Sequence, residues 1–217
     1  MSLAKRLQSI EGRIEAACET VGRDPAEVTL IAVSKTIAAE QVLAAHDLGI
    51  RDFGESRLQE ALPKLEALPP DIRWHYIGPL QSNKATKVAE RFSAIHSLEN
   101  VRQLDALRKA HRKIDALIEI NIASEPQKKG VLPQDLDEFI ESVLYCPQVR
   151  LRGLMTVGPM VQNAEEMRPY FRQLKDLLER VPGGTWLSMG MSGDFEVAIQ
   201  EGSTHVRVGS ALFGERA

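Results

Sequence analysis

The chain alternates, almost without interruption, between short apolar segments and longer segments whose apolar residues recur at three- and four-residue steps. Short apolar runs are typical of buried strands, and the longer steps are typical of amphipathic helices. About eight such strands occur, each but the last followed by a helix, and eight units of this kind close into a (β/α)8 barrel, the TIM barrel. The alternation therefore predicts a parallel sheet covered by helices.

The predicted strands are 29–35, 52–56, 73–77, 94–97, 114–122, 149–157, 186–191 and 205–208. The predicted helices are 2–21, 38–48, 58–68, 84–91, 100–112, 135–144, 165–180 and 195–200, so that one extra helix precedes the first strand. With 217 residues the chain lies near the lower end for a barrel, and residues 1–217 are expected to form a single domain. An open doubly wound sheet is the alternative, which the absence of G-x-G-x-x-G after the first strand weakens.

Composition limits the partners of the chain. The net charge is −3, and lysine and arginine are spread along the sequence, which argues against a nucleic-acid binder. No apolar run reaches membrane-spanning length, and the first ten residues lack the apolar core of a secretory signal. Cys18 and Cys146 have no metal-ligand spacing and suit free thiols in a cytoplasmic protein with no metal. Each helix has only one apolar face, which favours a monomer.

Lys35 stands where the first predicted strand ends, after the run Thr29-Leu30-Ile31-Ala32-Val33-Ser34. Buried strands seldom hold a lysine unless it is paired or lies at the strand end. A lysine at such an end, facing a pocket, is poorly hydrated, so its neutral amine becomes accessible, as a Schiff-base lysine requires. The alternative is a lysine whose side chain extends into solvent.

Small and hydroxyl residues lie where the last two predicted strands end. Barrels often bind a phosphate there, with backbone N–H groups and the start of a short helix, and small residues let the backbone approach the anion. The residues that suit this role are Ser188, Ser192, Gly209 and Ser210. The alternative is that these are ordinary turn residues.

Arg207 lies inside the alternating run His205-Val206-Arg207-Val208-Gly209. Period-two geometry places the two valines on one face and Arg207 on the other. If the valines face the helices, Arg207 points into the barrel, where a buried guanidinium needs a carboxylate or a ligand atom as its partner. A structural ion pair is the alternative.

A lysine, a phosphate site and an inward arginine at one end of a barrel suggest pyridoxal 5′-phosphate (PLP). In that assignment Lys35 forms the aldimine and Arg207 faces the pyridine nitrogen. Arginine cannot take up a proton, so it does not hold the ring nitrogen protonated, and the ring is a weaker electron sink.

Six motifs span nearly the whole chain. They are Ala32-Val33-Ser34-Lys35-Thr36, Phe53-Gly54-Glu55, Trp74-His75-Tyr76-Ile77-Gly78-Pro79-Leu80-Gln81-Ser82-Asn83-Lys84, Arg152-Gly153-Leu154-Met155, Leu187-Ser188-Met189-Gly190-Met191-Ser192, and Val206-Arg207-Val208-Gly209 with Phe213-Gly214. In this order they resemble the motifs of the YggS/PROSC pyridoxal-phosphate homeostasis proteins. One position departs from the family pattern: Ser56 follows Phe-Gly-Glu where asparagine is usual.

The resemblance implies a barrel of the alanine racemase N-terminal type that holds PLP as a Lys35 aldimine. By position, Arg207 would face the ring nitrogen, and Ser188, Gly209 and Ser210 would hold the phosphate, with Ser192 as a further candidate. The resemblance also implies a role in vitamin B6 and amino-acid homeostasis without established catalysis, with PLP-dependent apo-enzymes as candidate recipients of the cofactor.

Two other functions remain open at this stage. One is a small PLP-dependent amino-acid racemase of the alanine type, with Lys35 as one base. Its second base is not evident, because alternation points Tyr76 away from His75 and both Tyr145 and Tyr170 fall in predicted helices. The other is a sugar-phosphate enzyme that uses the phosphate site and has no need of Lys35.

Overall fold

The computed structural model describes residues 1–214, whose eight parallel strands close into one barrel in chain order. The strands are β1 (Thr29–Val33), β2 (Asp52–Glu55), β3 (Arg73–Tyr76), β4 (Ala94–Leu98), β5 (Ile114–Glu119), β6 (Val149–Met155), β7 (Trp186–Met191) and β8 (His205–Val208). The barrel closes because β8 pairs with β1 in parallel, with Ile31 opposite Arg207. The predicted barrel is confirmed, and the doubly wound alternative is wrong.

The helices form the outer layer. They are α1 (Leu3–Glu19), α2 (Ala39–Asp47), α3 (Leu58–Ala67), α4 (Ser82–Arg91), α5 (Val101–Leu107), α6 (Leu136–Leu144), α7 (Arg168–Leu178), α8 (Phe195–Gln200) and α9 (Ser210–Phe213). Short 3-10 turns lie at Pro25–Glu27, Pro133–Asp135 and Ala164–Met167. The short helix α9, which follows the last strand, was not predicted.

The extra N-terminal helix is confirmed. Ser2 caps α1 by accepting a hydrogen bond from the Lys5 backbone, and Leu7, Ile10 and Ile14 are buried on one face. That face packs against α8 and α9. The helix therefore covers the seam where the last and first strands meet.

A continuous apolar core fills the space between strands and helices, and Val206 and Val208 both belong to it. Arg207, between them, faces the barrel interior, as period-two alternation predicts. Within residues 1–214 no helix is long and apolar enough to cross a membrane.

Candidate functional site

A pocket of about 350 Å³ opens at the carboxyl ends of the strands, and we call it the mouth pocket. Five of the six predicted cofactor-binding residues line it: Lys35, Ser192, Arg207, Gly209 and Ser210. Its apolar wall is formed by Val33, Ile77 and Val157, and no aspartate or glutamate is among the lining residues described. Cations, hydroxyls and an apolar wall are the groups that a flat ring carrying a phosphate requires.

Lys35 lies on the turn after β1, two residues beyond the end of the strand. The backbone of Thr36 has φ of 65°, a left-handed conformation that is uncommon for a β-branched residue. Ser34 holds the turn from the other side, because its N–H donates to Gly54 O (3.0 Å) and its C=O accepts from Ile37 (3.0 Å). The direction of the Lys35 side chain therefore depends on how firmly Ser34 is fixed.

A buried ion pair fixes Ser34. Lys64 Nζ donates to Glu55 Oε1 and to Ser34 O, each at 2.8 Å, and Ser34 Oγ donates to the same carboxylate oxygen at 2.8 Å. The Glu55 side chain is fully buried and that of Lys64 is 11% exposed. The sequence analysis missed Lys64, although the helical spacing of Leu58, Ala61 and Lys64 places it on the buried face of α3.

The turn between β8 and α9 supplies two backbone donors that converge on one oxygen. Ser192 Oγ accepts long hydrogen bonds from the N–H groups of Gly209 (3.3 Å) and Ala211 (3.4 Å). Ser210 lies between these two residues and is exposed to the pocket. Convergent backbone N–H groups with flanking hydroxyls are the donor set that binds a phosphate oxygen.

Gly190 brings Ser192 to this turn. Its φ is 91°, and a Cβ at this position would lie 2.6 Å from the Cβ of Ala198 on α8. Only glycine allows the end of β7 to approach α8 so closely. The strand can then turn sharply enough to place Ser192 beside Gly209.

Arg207 is buried and makes two hydrogen bonds inside the barrel. Its guanidinium donates to Ser188 Oγ at 2.7 Å and to Thr156 O at 2.9 Å. Burial lowers the pKa of Arg207 to about 10, while Glu119 and Asp194 nearby favour its charged form. The side chain is therefore a cation at neutral pH.

Ser188 is the one predicted cofactor-binding residue that does not line the mouth pocket. Its side chain is fully buried, and its Oγ lies between Arg207 and Nδ1 of His96, at 2.7 and 2.9 Å. Arg207 thus lies between Ser188 and the pocket. This geometry suits a support for Arg207 better than the predicted contact with a phosphate.

Glu119, at the end of β5, is a titratable group that the sequence analysis missed. Burial raises its pKa from 4.5 to about 7, and Glu99 adds to the effect, while Arg207 and Lys129 partly offset it. Glu119 does not line the mouth pocket. The raised pKa means that the folded protein holds a proton on Glu119 that the unfolded chain releases at lower pH.

The Glu119→Gln variant is expected to keep its stability as the pH rises, whereas the wild-type protein becomes less stable. The wild-type protein should lose up to about 3 kcal/mol between about pH 4.5 and pH 7, because the unfolded state gains from ionisation that the folded state resists. Urea unfolding of both proteins at about pH 5 and about pH 8 measures this difference. The exposed Glu15→Gln variant is the control, and equal pH dependence in all three proteins would contradict the assignment.

Known proteins of one family are similar to this chain over nearly its full length. The chain matches the family described as "Alanine racemase, N-terminal domain" over residues 6–217. It is 42% identical over 226 residues to a pyridoxal phosphate homeostasis protein of Aquifex aeolicus, covering 100% of this chain and 99% of the relative. A protein of the same name from Escherichia coli K12 is 40% identical over 226 residues, covering 99% of this chain and 97% of the relative.

Two solved structures have a similar fold. PipY of Synechococcus elongatus, solved with PLP bound, is 34% identical with a TM-score of 0.82, covering 98% of this chain and 100% of that chain. Alanine racemase of Bartonella henselae, at 18% identity, has a TM-score of 0.71 and covers 96% of this chain but only 59% of that one. The second likeness shows the shared barrel alone.

Proposed function

The chain belongs to the alanine racemase N-terminal domain family and, within it, to the pyridoxal phosphate homeostasis proteins, and we propose that it binds PLP in the mouth pocket. The observation that carries the proposal is that Lys35, Arg207 and the two hydroxyl residues Ser192 and Ser210 line one pocket, which no acidic residue among residues 1–214 lines. PipY, a relative solved with PLP bound, supports it. The protein then acts in PLP and amino-acid homeostasis, with its barrel as a single PLP-binding unit.

Each residue has a task that its chemistry allows. Bound PLP supplies an aldehyde carbon for covalent attachment and an electron-withdrawing ring. Lys35 contributes the amine for that attachment, and the backbone N–H groups of Gly209 and Ala211, with the hydroxyls of Ser192 and Ser210, hold the phosphate. Arg207 would donate a hydrogen bond to the ring nitrogen and, because a guanidinium only donates, would not supply that nitrogen with a proton.

We propose binding without turnover as the main activity. Two-base racemisation needs a second proton acceptor opposite the lysine, and the tyrosines offer none within the pocket. Tyr76 is buried on the helix side of β3 and donates to Pro79 O at 3.3 Å, and Tyr145 is 80% exposed. Tyr170, on α7, packs against the outer core.

The experiment is proton exchange at the α-carbon of an amino acid. Purified protein is loaded with PLP, passed through gel filtration to show that the cofactor is retained, and incubated with D- or L-alanine in heavy water while NMR follows the α-proton. We expect retained PLP at about one per chain and no exchange at a catalytic rate.

Exchange at a catalytic rate that disappears in Lys35→Ala would contradict binding without turnover. It would show that the protein is an alanine-type racemase. Failure to retain PLP in any buffer would contradict the binding function itself. These two outcomes differ in the gel-filtration step, so each can be attributed.

The cellular setting is also part of the proposal. Cys18 and Cys146 are both free and buried, which supports a reducing compartment such as the cytoplasm. We infer that the protein acts as a monomer and passes PLP to PLP-dependent apo-enzymes. The mixing of PLP-loaded protein with a PLP-free aminotransferase would test the transfer.

A further inference from the structure

A chain of hydrogen bonds runs through the barrel interior beneath the mouth pocket. Asp52 Oδ1 lies 2.9 Å from His75 Nε2, and His75 Nδ1 lies 3.0 Å from His96 Nε2. His96 Nδ1 lies 2.9 Å from Ser188 Oγ, which accepts from Arg207 at 2.7 Å. All five residues are buried. We call this chain the interior relay.

The interior relay crosses the barrel rather than following the wall. His96 is on β4 and Ser188 is on β7, and these strands are not neighbours in the closed sheet. At one end Arg207 lines the mouth pocket. At the other end Asp52, the first residue of β2, lines a cavity of about 310 Å³. The relay thus links the mouth pocket to the opposite end of the barrel.

The charged ends of the relay determine the directions of the two outer hydrogen bonds. Burial opposes ionisation of Asp52, but hydrogen bonds from His75 and Arg73 outweigh it and hold the pKa at about 2. A carboxylate only accepts and a guanidinium only donates. His75 therefore carries a proton on Nε2, and Ser188, which accepts from Arg207, has its own proton to donate.

The two histidines complete the assignment. Burial drives the pKa of His96 well below its usual value, so the ring is neutral and carries one proton. The Ser188 hydroxyl can donate to His96 Nδ1, which leaves the His96 proton on Nε2, where it is donated to His75 Nδ1. With these donors all four bonds point the same way, from the guanidinium to the carboxylate.

A chain of hydrogen bonds with one direction stabilises the buried positive charge of Arg207. Within residues 1–214 its hydrogen bonds go to two neutral oxygens, Ser188 Oγ and Thr156 O. A buried cation is costly without compensation, and hydrogen bonds in series polarise one another, so the Asp52 charge makes Ser188 Oγ a stronger acceptor.

We propose that Asp52, His75, His96 and Ser188 are positioning residues that hold Arg207 in the orientation in which it meets the ring nitrogen of PLP. The relay fixes the guanidinium through Ser188 and stabilises its charge through Asp52. This inference rests on the proposed PLP site only for its effect on binding. The direction of the relay is a property of the protein alone.

The first test needs no cofactor. Nitrogen-15 NMR of histidine side chains in the unloaded protein distinguishes the two neutral tautomers, and we expect both His75 and His96 as Nε2–H forms. In Ser188→Ala the His96 Nδ1 atom loses the hydroxyl that donates to it. Its nitrogen-15 chemical shift should therefore move towards that of an unprotonated nitrogen without a hydrogen bond. An Nδ1–H tautomer at His96 in the wild-type protein would overturn the proposed direction.

The second test measures PLP affinity by absorbance titration. Asp52→Asn keeps an oxygen that accepts from His75 but removes the charge, and we expect roughly threefold to tenfold weaker binding, about the effect of one buried hydrogen bond. Asp115→Asn is the matched control, because Asp115 lines the same cavity as Asp52 and pairs with Arg150 at 2.7 Å, and within residues 1–214 no hydrogen bond joins it to the relay. It should bind PLP as the wild-type protein does.

The decisive comparison is a double-mutant cycle. If Asp52 acts through the relay, Asp52→Asn should have no further effect on PLP affinity once Ser188→Ala has broken the chain. Equal effects of Asp52→Asn in both backgrounds, or an equal loss in Asp115→Asn, would overturn the proposal. Urea unfolding of each variant confirms that the protein remains folded. If the wild-type protein itself bound no PLP, the proposed function would fail, and the tautomer measurement would still decide the relay.

Discussion

Lys35→Ala is expected to abolish the absorbance band that marks PLP bound covalently to a lysine. Among residues 1–214 Lys35 is the only lysine that lines the mouth pocket, so no other amine can take its place there. The remaining donors should hold the phosphate only reversibly. Gel filtration of the PLP-treated variant should therefore remove the cofactor, whereas the wild-type protein keeps it.

A trapping experiment makes this result specific. Borohydride reduction of the loaded wild-type protein should leave the cofactor on a single peptide, the one that contains Lys35, and mass spectrometry identifies it. Lys109→Ala is the control, since Lys109 is an exposed lysine that follows α5. A band of unchanged intensity in Lys35→Ala, or a label on another lysine, would refute the assignment.

The barrel could be predicted from the sequence because its signals are local. Each strand is a short apolar run, and period-two alternation correctly separates Arg207 from its two valine neighbours. The predicted site residues lie in or just after strands, and closure of the barrel brings the carboxyl ends of all strands to one face. Lys35 and Arg207 therefore meet in one pocket although most of the chain separates them.

Element ends were harder to predict, since they depend on neighbours. The helix predicted to reach residue 112 ends at Leu107, because Glu90 Oε1 on α4 accepts from the His111 N–H at 2.6 Å and draws the chain away. The helix predicted from residue 165 begins as a 3-10 turn and becomes α-helical only at Arg168. Pro169 has no N–H for a helical bond and suits the first turn of the α-helix.

The supports of the site could not be predicted from local patterns. His96 and Ser188 are 92 residues apart and meet only because their strands face each other across the interior. Lys64 and Glu55 are nine residues apart, on α3 and β2, and form an ion pair only when the helix packs against its strand. The helical spacing places Lys64 on the buried face of α3, but its partner Glu55 can be identified only in the fold.

Lys64→Met is expected to destabilise the protein by about 3 to 5 kcal/mol, the usual effect of breaking a buried ion pair. Among residues 1–214 Glu55 Oε2 has no hydrogen-bond partner, and loss of Lys64 would leave the charge on a fully buried carboxylate with only the Ser34 hydroxyl. Urea unfolding measures the change. Arg57→Met is the control, because Arg57 and Glu60 form an exposed pair at 2.7 Å whose loss should change stability by no more than about 1 kcal/mol.

A second variant separates the buried charge from the loss of packing. In Glu55→Gln/Lys64→Met the carboxylate is gone, so most of the lost stability should return if the uncompensated charge is its cause. The Ser34 carbonyl then loses its hydrogen bond from Lys64, and Ser34 Oγ donates to a neutral oxygen in place of a carboxylate, so the turn that carries Lys35 and the left-handed Thr36 is less firmly held. The double variant should accordingly be stable yet attach PLP more slowly than the wild-type protein. Equal instability of the single and double variants would show that Lys64 contributes packing rather than charge.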